Sequence, residues 1–83
     1  MARLKYQALD SRGKVHKRTS TERIYTHCVV IHFPTQPAKG NFREWPAHDR
    51  AEWAGSLELA EKNARSWRRT QSDVEVLTAE RVS

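Results

Sequence analysis

Four consecutive apolar residues, Cys28-Val29-Val30-Ile31, constrain the fold more than any other feature of the chain. Side chains on a strand alternate between faces, so this run is apolar above and below, which suits a strand inside a sheet and not at its edge. Tyr25 and Phe33 add bulk, and Pro34, which cannot donate to a ladder, stops the pairing. Residues 24–33 therefore read as the central strand.

Two weaker strands precede it. Residues 3–9 alternate, with Leu4, Tyr6 and Ala8 on one side and Lys5 and Gln7 on the other. Asp10-Ser11-Arg12-Gly13 then offers an aspartate to open a turn and a glycine for a left-handed position, as in a bulged hairpin. Residues 14–19 return, with Val15 expected inward and Lys14, His16 and Arg18 outward.

After Pro34 the pattern breaks. Residues 34–49 contain three prolines, Gly40 and Asn41, and read as a long loop, either functional or pinned over the core by Phe42 and Trp45. Leu57, Ala60, Ala64 and Trp67 form one stripe at helical spacing, so residues 57–69 read as the main helix, with Ser56 as its cap. Residues 49–54 read as an earlier helical turn, interrupted at Gly55. Val74 and Val76, alternating with Glu75, make residues 73–78 a last strand.

The 83 residues make one domain with a thin core. The order strand, strand, strand, helix, strand predicts an α+β fold: an antiparallel sheet of about four strands, order β-β-β-α-β, with one α-helix packed across one face. Nothing else in the sequence is left to cover the other face.

That open face bears on function because of where the charge lies. The formal net charge is +5, and residues 1–33 hold seven Lys/Arg against two acids, while residues 34–83 are balanced. With the helix on the Cys28 face, Tyr25 and His27 would join Lys14, His16 and Arg18 on the open face, flanked by Lys17 and Arg23. Aromatic rings among cations suit stacked bases and phosphates, and a positive face also suits an acidic protein surface. The candidate binding residues are therefore Lys14, His16, Lys17, Arg18, Arg23, Tyr25 and His27.

Other chemistries find less support. A single cysteine excludes an internal disulfide. The four histidines and Cys28 match no common zinc spacing, so no metal or other cofactor is expected. Cys28 and His32 share a strand face but lie ~13 Å apart at about 3.3 Å per residue, too far for a nucleophile and its base. Cys28 reads instead as a small buried apolar residue. The three glycines are isolated, so no phosphate loop forms, and no enzyme is expected. No apolar run approaches a membrane span or a secretory leader, so the expected location is cytoplasmic.

The segments Lys17-Arg18-Thr19-Ser20, Tyr25-Thr26-His27-Cys28-Val29-Val30, Leu57-Glu58-Leu59-Ala60-Glu61-Lys62 and Ala64-Arg65-Ser66-Trp67 resemble small proteins of phages and prophages. The layout is similar to that of some anti-CRISPR proteins, in which a short antiparallel sheet cradles a helix. The resemblance implies a non-catalytic inhibitor, acting in a bacterial host cell, that binds a CRISPR surveillance complex and blocks target DNA binding or nuclease recruitment. It carries no site residues of its own. Many anti-CRISPR proteins are acidic DNA mimics, whereas this chain is basic, which points to a different mode of binding. The alternatives are direct binding of single-stranded or duplex nucleic acid, and an interaction module that forms a homodimer.

Overall fold

The computed structural model describes residues 3–41 and 43–82. The fold is α+β, as the sequence predicts, but among the described residues it is built from six strands in two three-stranded antiparallel sheets with one helix. β1 (Leu4–Leu9), β2 (Val15–Ser20) and β6 (Glu80–Arg81) form one sheet in the order β2-β1-β6. β3 (His27–Phe33), β4 (His48–Ala54) and β5 (Val74–Thr78) form the other in the order β4-β3-β5. The helix α1 (Leu57–Arg68) joins β4 to β5.

β3 is central, as its two-faced apolar run requires. The expected layering is corrected, however. The helix lies against the Val29 and Ile31 face, where Ala60, Ala64 and Ala54 complete a buried cluster with Phe33, Trp67, Val74 and Val76 at its margin. The Cys28 and Val30 face is not open: Ala8 of the first sheet packs on it, with Ala51, Trp53 and Leu77 alongside. Both faces of the apolar run are thus covered, one by small residues of a helix and the other by a second sheet.

β4 was not expected as a strand. Residues 49–54 are extended and pair with β3 along its whole length, Phe33 with His48 through His27 with Ala54. Ala, Glu and Arg favour helices in isolation, but the preference is worth only a few tenths of a kcal/mol per residue and yields to a ladder on a buried strand. The irregular segment therefore ends at residue 47. Gln36 and Trp45 exchange backbone hydrogen bonds of 2.8 and 2.9 Å across it. Trp45 is not the expected plug over the core; it is 61% exposed, with its ring edge-on to His48. Phe42, its expected companion, lies outside the described residues.

The first hairpin forms where the sequence places it. Asp10 Oδ1 accepts the backbone N–H groups of Arg12 (2.9 Å) and Lys14 (3.0 Å), and Gly13 adopts φ 83°. Its register pairs Ala8 with His16 and Leu9 with Val15. Directly opposed residues share a face, so His16 turns inward with Ala8 while Val15 turns outward with Leu9, the reverse of the expected phase. At the other corner, a Cβ on Gly55 would sit 3.3 Å from the Ile24 carbonyl oxygen, so a small residue suits the passage from β4 to α1. Ser56 Oγ then accepts the Leu59 N–H at 3.2 Å and caps the helix.

Candidate functional site

The predicted platform of seven residues does not assemble on one face. Lys14 reaches Asp49, its Nζ 3.2 Å from Oδ2. His16 is buried. Tyr25 precedes β3 and does not follow its alternation; its ring packs edge-on to Tyr6 at 5.5 Å and tilted to Trp53 at 6.1 Å, between the sheets. His27 is half-buried, directly opposite Ala54 and so on the helix side of its sheet, and its Nδ1 is hydrogen-bonded to Thr26 Oγ1 at 2.8 Å. Lys17 is exposed on the outward face of β2, opposite Gln7.

Arg18, Arg23 and Tyr25 do come together. They line an open cleft of about 440 Å³ with Arg3, Thr19, Ser20, Thr21 and Glu22. The cleft is made by the end of β2 and the bend that leads to β3, where Ser20 Oγ accepts the Arg23 N–H at 2.9 Å and holds the bend. All three arginines are exposed. Among the described residues none of them lies within ion-pair distance of a carboxylate; the six ion pairs there involve other cations. Three guanidinium groups and three hydroxyls, with the single carboxylate of Glu22 among them, can donate hydrogen bonds to the oxygens of an anion. Arg3 was missed by sequence reasoning, although the hairpin register that opposes Leu4 to Ser20 carries the preceding residue to the same end.

A second constellation sits where the first hairpin meets the other sheet. His32, directly opposite Asp49 on β4, shares a face with Val30, and Glu75 on β5 is opposite Val30. The face is the one covered by the first sheet, so His32 is 3% exposed. Its Nδ1–H donates to Asp49 Oδ1 at 2.7 Å and its Nε2–H to Glu75 Oε2 at 2.5 Å. With both carboxylates ionised, each ring nitrogen can bond only by donating a hydrogen, which favours the imidazolium form. Burial alone would lower the pKa of His32, but the bonds to Glu75 and Asp49 outweigh it and raise the pKa above 6.5. Burial likewise opposes ionisation of Asp49 and Glu75, and the bond to His32 reverses it for each, so both are held below their ordinary values.

The hairpin closes this constellation. His16 Nε2 lies 2.9 Å from Asp10 Oδ2, and Asp10, whose side chain is fully buried, is taken down to about 2 against its desolvation by His16 and the two backbone N–H groups. Ser11 N–H donates to Glu75 Oε1 at 3.0 Å, and Arg12 pairs with Asp73. Donor atoms of Asp10, His32 and Glu75 lie within 4.8 Å of one another, as do those of Asp10, His16 and Asp49. Either set offers ligands to a cation. The expectation of no metal-ligand grouping rested on spacing along the chain, whereas these residues come from the first turn and four strands. Only Glu75 left a trace in the sequence: its alternation with Val74 and Val76 puts it on the opposite face, which faces the second sheet and not solvent.

Cys28 is fully buried, and its thiol is pushed up to about 12 by desolvation, which fits the apolar role expected of it. No helix among the described residues is long and apolar enough to cross a membrane. No family model, curated protein or solved structure matches the chain.

Proposed function

We propose that the protein is a non-catalytic binding protein that engages the phosphates of a nucleic acid or nucleoprotein through the cleft of Arg3, Arg18 and Arg23. The observation that carries this reading is the cleft itself: three exposed guanidiniums against the one carboxylate of Glu22, none of them in an ion pair among the described residues, next to the hydroxyls of Thr19, Ser20 and Thr21. Tyr25, which also lines the cleft, is buried and has little ring left to stack a base. Recognition therefore reads backbone phosphates, with little preference for sequence. A surveillance complex with exposed guide RNA is one such target, and it is the one that the resemblance to anti-CRISPR proteins implies.

Fluorescence anisotropy with labelled single-stranded DNA, duplex DNA and RNA at two salt concentrations tests the reading. Neutralising about three phosphates gives a log-log salt slope of about −2 to −3. Reversal of Arg18 and Arg23 to glutamate should remove binding and leave the melting temperature unchanged within a degree or two, because both side chains are exposed. Binding that survives the double reversal overturns the assignment of the cleft. Absence of binding to naked nucleic acid, together with retention on an immobilised surveillance complex that the double reversal abolishes, selects the inhibitor reading.

A further inference from the structure

We propose that Asp10, His32 and Glu75 form a site for one divalent transition-metal ion of the zinc type, with Asp49 as the group that orients His32. The site is distinct from the arginine cleft and does not depend on it.

Asp10 Oδ1 accepts the backbone N–H groups of Arg12 and Lys14, which fixes the carboxylate, and Oδ2, bonded to His16 Nε2 at 2.9 Å, is the oxygen left for the ion. Glu75 Oε1 is held by the Ser11 N–H, which leaves Oε2 directed at His32 Nε2. His32 Nδ1 faces Asp49 Oδ1. A metal-binding histidine ordinarily donates its other ring N–H to a carboxylate, which fixes the tautomer and the ring orientation, and Asp49 stands in that position.

The three donor atoms lie within 4.8 Å of one another, and bonds of about 2.0 Å in a tetrahedron need donor separations near 3.3 Å, so His32 Nε2 and Glu75 Oε2, 2.5 Å apart, must open to admit the ion. The ion replaces the hydrogen on His32 Nε2, which leaves to solvent, while the Nδ1–H bond to Asp49 stays. Three protein ligands leave the fourth position to water. An imidazole with two carboxylates selects borderline first-row ions over calcium or magnesium, which take more oxygens and keep their water.

The untagged full chain, stripped with chelator and dialysed, is titrated with zinc by calorimetry and with cobalt by visible absorption. One ion per chain with a dissociation constant of about 10 μM or tighter is expected, with a rise in melting temperature that magnesium does not reproduce. Glu75→Gln and Asp49→Asn should each weaken zinc binding about 10- to 100-fold. His48→Gln, at an exposed ring, should leave it unchanged. Because these substitutions can also loosen the fold, imidazole nitrogen spectra of the unsubstituted chain give a second readout: zinc should shift His32 Nε2 while Nδ1 keeps its proton. No binding at 100 μM zinc, binding unaffected by Glu75→Gln, or a shift confined to another histidine each overturns the proposal and leaves the cluster as a hydrogen-bonded lock between the sheets.

Discussion

His32 is the point at which both sheets and the first turn meet, and its charge ties their stability to pH. In the metal-free chain the groups around it are Asp49 and Glu75 on the flanking strands, Asp10 and His16 from the hairpin, and the nearby cations Lys14 and Arg12. A histidine whose folded pKa is raised contributes stability that is fully present below its unfolded value of 6.5 and is lost as pH rises through the folded value. The lowered carboxylates act in the opposite sense: their contribution is present above their unfolded values of 3.8 and 4.5 and is lost as pH falls. Urea midpoints in the presence of chelator should therefore be highest between about pH 5 and 6.5 and fall on both sides. His32→Gln should flatten the alkaline fall; a fall of equal size in that variant would assign the effect to another group. Cys28 supplies a separate check at this scale, since a fully buried thiol pushed up to about 12 should resist alkylation at pH 8 until denaturant is added. What made the residue scale hard to read is that Asp10 has a sufficient local role as a turn former and His32 has none. Their meeting depends on a second sheet that the sequence did not reveal.

At the scale of elements, local signals were legible where chain-local physics decides the outcome. The β1-β2 turn, the Ser56 cap and the stripe of Ala60 and Ala64 all follow from residues within a few positions of each other. β4 and the facing of β2 did not, because both are set by partners distant in the sequence: β4 by its ladder with β3, and β2 by the register that turns His16 in with Ala8. Trp67 shows how the helix is tied to this strand. Its Nε1–H donates to Glu52 Oε1 at 2.5 Å, its ring stands edge-on to Phe33 at 5.7 Å, and the Arg50 guanidinium lies 5.4 Å from its centre. Trp67→Ala removes all three contacts and should cost about 3 kcal/mol in urea unfolding, the lower end for a tryptophan because the ring is only partly buried. A cost below about 1 kcal/mol would mean that the ring contributes little to docking the helix.

The molecule as a whole is long and narrow, with extents of 49 × 24 × 22 Å, and its two sheets are fastened differently from within. The sheet that holds β3 has an apolar cluster and a helix against it, whereas the β2-β1-β6 sheet rests on Ala8, the Tyr6 and Tyr25 rings, and the polar cluster at the turn. Most of β2 is exposed, and among the described residues it lies at the edge of its sheet beside β1. An edge strand with few buried apolar contacts opens at lower free energy than a strand covered on both faces, so the two sheets should not exchange their amide hydrogens together. Native-state exchange should release the amides of β2 first and those of Val29, Val30 and Ile31 last, close to the global unfolding free energy. Tyr25→Ala should widen that gap, because it removes a ring that packs on both Tyr6 and Trp53 while leaving the helix-side cluster intact. Equal acceleration of β2 and β3 amides in the variant would instead mark the two sheets as one cooperative unit. The arginine cleft lies at the end of β2 in the less firmly held part, so a bound polyanion should slow exchange there and leave the β3 amides as they were.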